Sequence, residues 1–362
     1  MGLNERVALI KKIEQLRGSS VISFLTSLRP NVPGAISDDA VRVFFDHLVK
    51  LPKRPVKQLD IFLCSNGGSG TVPWRLVSLF REFATKFAVL IPYRAYSAAS
   101  LIALGADEIV MHPFAELGPI DPTVSNEFNP TDQQSGMRIG ISVEDVKAYV
   151  TFIKSTVGIT HEDELIRAIE VLAEKVHPLA LGNVERFLSQ SRMIARKILR
   201  THMSEAEEHT IDEIVENMAS KLYFHGHPIN RQEAKSDLEL KVQTDLAPEL
   251  ERSLWDLYKD YEEYFENMTI FHPAGDLAAI RIARAQAALA AAIAAAPGAP
   301  PAAPQLPPDK KYKLLHSLVE STRLSSAFHT ERNYTLIQGA QVGQQAIQEE
   351  ILSQGWSHST VP

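Results

Sequence analysis

The sequence predicts an α/β fold with a largely parallel sheet, followed by a mainly helical region and a small C-terminal α+β unit. From Val21 to Ile109, short apolar runs alternate with stretches of helical periodicity. Beyond Pro122 a polar, Pro- and Gly-containing loop runs to about Gly140, and helical patterns then dominate to about Phe265. A Pro/Ala tract, PPAAPQLPP at its centre, sets off the remainder, because proline lacks the N–H that helix and sheet need. These breaks divide the chain into an α/β core at 1–140, a helical region at 141–275, an Ala/Pro-rich helix and linker at 276–309, and a C-terminal unit at 310–362.

In order, the pattern gives a strand at Val21–Leu25, a helix at Asp38–Leu51, a strand at Leu59–Cys64 and a helix at Val72–Phe83. A strand at Phe87–Ile91, a short helix at Ser97–Leu104 and a strand at Glu108–Met111 follow. Such a βαβ succession implies parallel pairing with right-handed crossovers. In the helical region Val143, Val146, Val150, Ile153 and Val157 share one face. Beyond the linker, Leu314–Glu320 and Tyr334–Gln338 read as strands, with a helix ending near Gly355-Trp356.

Composition narrows the function classes. A net charge of -7 and a pI near 6.0 leave no basic field to displace phosphate counterions, so nucleic acid is not the expected partner. The Lys/Arg cluster from Arg186 to Arg200 reads as a solvated helix face. Cys64 is the single cysteine and sits in an apolar run, so a buried thiol is expected and no intramolecular disulfide can form. The N-terminus reads as an amphipathic helix, and Arg281, Arg284 and Gln286 interrupt the Ala-rich stretch Leu277–Ala296; no membrane span is expected. A cytoplasmic location fits a reduced thiol.

Two segments carry candidate chemistry. Strand Leu59–Cys64 runs into Ser65-Asn66-Gly67-Gly68-Ser69-Gly70, where glycines permit a sharp turn with exposed N–H groups suited to a phosphate or an oxyanion. The spacing is not that of a Walker A loop. Strand Phe87–Ile91 leads through Pro92-Tyr93-Arg94-Ala95-Tyr96 to Ser97, a serine among small residues at a strand-to-helix turn. Position alone leaves Ser97 as either a helix cap or a nucleophile.

The stretch IFLCSNGGSG, then PYRAYSAASLIALGADEIVMHPFAELGPIDP, together with EKVHPLALGNVERFLSQSRMIARKIL at 174–199 and KLYFHGHPINRQEA at 221–234, resembles the serine dehydrogenase proteinase family. These are relatives of ClpP and of SppA-like signal peptide peptidases. The resemblance implies a ClpP/crotonase-type fold, a catalytic core at 1–140 and an ATP-independent serine peptidase that assembles as a homo-oligomer around a peptide or protein substrate. It makes Ser97 the nucleophile, the Ala98 N–H one oxyanion donor and Gly67 or Gly68 the other. Asn66 stands where ClpP has proline, and the segment Leu117-Gly118-Pro119-Ile120-Asp121 lacks the ClpP histidine. An SppA-like lysine base is then implied, with Lys175 first and Lys147 and Lys154 as rivals; His177 is the alternative base. Asp121 and Glu116 are candidates to orient a base or bind a substrate amine, and His112 to line the cleft.

No cofactor is expected. His225-Gly226-His227 has no flanking carboxylate or cysteine to complete a metal set, and no Gly-x-Gly-x-x-Gly fingerprint supports a dehydrogenase. Two other readings stand beside the peptidase: an inactive peptide-binding scaffold, supported by the missing histidine, and a crotonase-like acyl-CoA enzyme. An activating partner is compatible with the peptidase.

Overall fold

The computed structural model describes residues 2–120, 123–124, 127–132, 138–221, 227–294, 307–338 and 345–361. The chain opens with α1 (Leu3–Arg17), stopped by Gly18 at φ +63°, a left-handed conformation that glycine adopts without a Cβ clash. Then follow β1 (Ser20–Thr26), α2 (Asp39–Leu48), β2 (Val56–Cys64), α3 (Val72–Phe83), β3 (Ala84–Ile91), the short β4 (Arg94–Ala95), α4 (Ala98–Leu104) and β5 (Glu108–Met111). Each element expected in this stretch is present, within a few residues at its ends.

The connecting region holds β6 (Glu116–Leu117), β7 (Thr123–Val124) and β8 (Ile141–Ser142). The helical region comprises α5 (Val143–Thr151), α6 (Glu162–Lys175), α7 (Pro178–Leu199) and α8 (Glu208–Glu216). After β9 (Ile229–Asn230), α9 (Arg231–Ser236) and β10 (Val242–Gln243) come α10 (Pro248–Tyr264) and α11 (Pro273–Ala294). Three long strands end the chain: β11 (Asp309–Ser321), β12 (Leu324–Gln338) and β13 (Gln345–Thr360).

One eight-stranded sheet organises the molecule, in the order β10-β5-β3-β2-β1-β11-β12-β13. Its pairs from β10 to β1 are parallel and those from β1 to β13 antiparallel. The parallel strands read as largely apolar runs because both faces are covered, with Asp60 of β2 buried against Arg17. Ile61 and Leu63 of β2 face a core shared with α2, α3, α4 and α7, while Phe62 and Cys64 face a second core shared with α1 and α10.

The C-terminal segment departs from the expected α+β unit. Leu314–Glu320 and Tyr334–Gln338 do lie in strands, but the segment around Gly355-Trp356 is strand β13, not a helix, and it pairs with β12 along its length. The Gln- and Glu-rich run from Gln345 suits a helix by propensity; the ladder to β12 overrides it. β11 adds directly to β1, from Ile22 opposite Ser321 to Thr26 opposite Ser317, so the last three strands continue the main sheet. Two polar clasps reinforce the join. His47 of α2 lies 3.1 Å from both Ser321 Oγ and Ser326 Oγ, and buried Arg6 bonds Glu320 at 2.8 Å and Asp260 at 3.2 Å.

The basic face of α7 is ion-paired: Arg192 to Glu216, Arg196 to Asp212 and Arg200 to Glu208. Helix α11 buries only Leu277 and is, by length and composition, apolar enough to cross a membrane despite Arg281 and Arg284. Most of the Pro/Ala tract lies outside the described residues.

Candidate active site

The ends of β2 and β3 are locked together before either reaches its functional residue. The Ser65 N–H donates to Arg94 O at 3.0 Å, and the Tyr96 N–H donates to Ser65 O at 3.0 Å. Below them the Ser100 hydroxyl lies 2.7 Å from Ala95 O and 2.6 Å from Gly118 O, tying the start of α4 to the segment after β6. The Tyr96 phenol donates to Glu116, and burial with that carboxylate beside it raises its pKa.

Ser97 sits between these ties at φ +53° and ψ -114°, a backbone region that costs a non-glycine residue free energy. It precedes α4, yet its side chain makes no capping hydrogen bond. The helix-cap reading therefore fails on geometry, and Ser97 is half-buried in the lining of a cavity of about 280 Å3.

The Gly67-Gly68 turn packs against this serine. Gly67 has φ +103°, and a Cβ there would lie 2.7 Å from Tyr96 O, 2.8 Å from Ser97 Cβ and 3.2 Å from Ala98 N. Only glycine permits that approach. The two glycine amides differ in their bonding. Gly67 N–H donates to Ser65 Oγ at 3.0 Å, whereas the N–H groups of Gly68 and Ala98 have no hydrogen-bond partner among the described residues. Gly68 and Ser97 line the same cavity. On the other side of the turn, Ile36 N–H donates to Gly67 O and Ser69 N–H to Ile36 O, both at 2.8 Å, so that edge is already occupied by the chain itself.

The opposite wall comes from α7. Phe187, Gln190, Ser191 and Ile194 follow an i, i+3, i+4, i+7 spacing that puts them on one face, and with Leu101 and Ile120 they close the cavity. Ser191 Oγ donates to Ile120 O at 2.7 Å, fixing α7 against the segment after β6. These residues were present in the sequence as a helical face but were masked there by the basic cluster on the same helix. No ionisable side chain lines the cavity among the described residues.

The other residues marked from the sequence lie elsewhere. Lys175 ends α6, exposed; Lys154 is also exposed, and Lys147 on α5 is half-buried. None of the three lines the cavity. His177 caps a helix: its Nδ1 accepts Leu179 N–H at 3.2 Å at the start of α7, and its ring stacks on Phe128 at 5.0 Å. His112 stacks on Trp255 away from the cavity, and burial lowers its pKa. Asp121 lies outside the described residues, as do His225 and Gly226; His227 contacts Glu233 at 2.8 Å. Among the described residues no three metal-ligating side chains converge.

Cys64 is buried, and desolvation pushes its thiol up to about 12, so it takes no part in nucleophilic chemistry.

Two proteins of Methanocaldococcus jannaschii are similar to this chain. Uncharacterized protein MJ1495 is 29% identical over 148 residues, 39% of this chain and 50% of the relative. Uncharacterized protein MJ0137 is 26% identical over 203 residues, 56% of this chain and 59% of the relative. The chain thus spans about half the length of the curated relatives it matches. Among solved structures, two of the 1510-N membrane-bound stomatin-specific protease, one in complex with a substrate peptide, align over 63% of this chain with a TM-score of 0.37. Their identities are 12% and 14%, and 80% and 76% of their own chains are covered. Residues 38–140, the stretch that carries both the Gly67-Gly68 turn and Ser97, match the family of ClpP-like SDH-type serine proteinases, the family that the motifs resemble.

Proposed function

We propose that this protein is a serine peptidase: the Ser97 hydroxyl gives its proton to a base and attacks a peptide carbonyl. The C–N bond breaks as the base protonates the leaving amine, and water hydrolyses the resulting acyl-enzyme to the free acid and Ser97. The Ala98 and Gly68 N–H groups receive the developing oxyanion, without ATP or a cofactor. One observation carries the reading: a strained serine whose hydroxyl caps nothing lines one cavity with Gly68, and the N–H groups of Gly68 and of Ala98, the residue after the serine, have no partner among the described residues.

For the proton acceptor the proposal keeps Lys175 first, with His177, Lys147 and Lys154 as alternatives. Each must be brought to Ser97 by a shift of its segment or by a second copy of the chain, since none lines the cavity. A homo-oligomer is part of the proposal. Its support is α6, which buries none of its residues while Ile166, Ile169 and Val171 are all more than half exposed. The cytoplasmic assignment also stays a proposal, to be tested by fractionation because α11 is long and apolar enough to enter a membrane.

The second reading, a peptide-binding scaffold, is favoured by the absence of any ionisable side chain around the cavity among the described residues. Intact-mass analysis after fluorophosphonate treatment separates the two. Labelling of wild type that disappears in Ser97→Ala supports the peptidase, and loss in Lys175→Ala assigns the base. A folded wild type that takes no label, alone or with an added cell extract as a source of activator, supports the scaffold.

A further inference from the structure

The Gly67-Gly68 turn joins two residues with little steric restraint, so the peptide between them is free to flip unless something holds it. A trans peptide points its C=O and N–H in opposite directions, which means that fixing the Gly67 carbonyl fixes the Gly68 N–H. Ile36 N–H holds that carbonyl at 2.8 Å. The preceding N–H, on Gly67, is held by Ser65 Oγ at 3.0 Å, and Ser65 Oγ is in turn 2.7 Å from Thr26 Oγ1. Ser65 is fully buried and Thr26 nearly so, at the ends of adjacent strands β2 and β1.

We propose that Thr26 and Ser65 are positioning residues for the oxyanion donor: their linked hydroxyls consume the Gly67 N–H and hold the turn so that, of the two glycine amides, only the Gly68 N–H is left for the oxyanion. This rests on the peptidase reading for its purpose and on the hydrogen bonds for its geometry. Ser65 has a second part, because its backbone bonds both Arg94 and Tyr96 and so sets the approach to Ser97 from the same residue that sets the donor. Thr26 does not line the cavity; its hydroxyl is bonded to Ser65, through which it acts.

The test uses the full chain and two readouts. Second-order labelling of Ser97 by a fluorophosphonate is expected to slow about 10- to 100-fold in Ser65→Ala and in Thr26→Val, each measured at a temperature where circular dichroism shows it folded. Thr26→Ser restores the rate to within about 3-fold of wild type, and Ser65→Ala/Thr26→Val is no slower than Ser65→Ala, because the two hydroxyls form one chain. Independently of labelling, amide exchange followed by NMR is expected to show Gly67 protected in wild type and Thr26→Ser but exposed in Ser65→Ala and Thr26→Val. Unchanged Gly67 protection in Ser65→Ala overturns the proposal, whatever the labelling. Wild-type rates in both hydroxyl-free variants overturn the catalytic purpose of the clamp, while absence of Ser97-dependent labelling in wild type defeats the peptidase reading instead.

Discussion

The corner built from Ser65, Gly67 and Ser97 and the segment carrying α5 and α6 differ in how the chain holds them. At the corner, backbone hydrogen bonds and glycine sterics fix every group within a few residues of the strand ends. Along α6 no residue is buried, and Ile166, Ile169 and Val171 lie exposed on a helix that also ends in Lys175. A nucleophile and two amide donors need only local chain geometry. A general base is a long side chain from a distant segment, and its place depends on packing that this helix lacks. The corner is thus preorganised, and the segment with the candidate lysines is held by few contacts of its own.

The largest expected effect breaks the corner. Gly67→Ala puts a Cβ within 2.8 Å of Tyr96 O and Ser97 Cβ at φ +103°. Left-handed strain and overpacking together should cost about 2–5 kcal/mol in urea unfolding, with labelling of Ser97 slowed at least ~100-fold. Gly70→Ala in the same loop meets nothing within 4 Å and should change stability by less than about 0.5 kcal/mol. Equal effects at the two positions would mean that the corner is not rigid.

A second experiment asks whether the C-terminal strands share the corner's rigidity. His47, buried between Ser321 and Ser326, has its pKa lowered to about 3, first by burial and then by the nearby His358 charge. The unfolded chain binds that proton near pH 6.5, so between about 6.5 and 3 it binds more protons than the folded one, and stability falls with falling pH. The loss reaches about 2 kcal/mol by pH 5 from this group. Burial lowers the pKa values of His202, His316 and His329 too, and these add with the same sign. Denaturant midpoints measured from pH 7.5 to 5 should fall in wild type and fall less in His47→Gln; parallel curves would remove His47 from the explanation.

On α6, Ile166→Ser and Ile169→Ser should each shift the unfolding free energy by less than about 0.5 kcal/mol, because both side chains are already in solvent in the single chain. Sedimentation then reports on the proposed assembly: a lower-mass species in these variants supports α6 as its contact, and an unchanged mass removes it. Smallest of all, Cys64 should stay unmodified by a thiol reagent until the chain unfolds, since the buried thiol is not ionised at neutral pH.

Much of the fold was legible because parallel strands covered on both faces are mainly apolar, as Leu59–Cys64 is apart from Asp60, which is buried against Arg17, and because helices on a sheet must be amphipathic, as Val72–Phe83 is. The segment ending near Trp356 misled for a related reason: Ile347 and Ile351 are spaced as on a helix, and only pairing with the preceding strand β12 makes them part of a ladder. At the site, Ser97 and the glycine pair were readable as a serine and a turn following two strands. Which glycine amide is free was not, since it depends on a hydroxyl pair from β1 and β2 and on Ile36.

The sequence by itself determined the order of strands and helices in the core, the placing of a serine and a Gly-Gly turn at adjacent strand ends, and a buried cysteine, because each follows from periodicity and local backbone chemistry. Tertiary structure alone decided that the C-terminal strands extend the main sheet, that α7 walls the cavity, that the Ser97 hydroxyl is not spent on a helix cap, and that the candidate lysines stay outside. Those outcomes turn on hydrogen bonds and contacts between segments distant in the chain, and no local pattern encodes which partner a strand edge or a hydroxyl will meet.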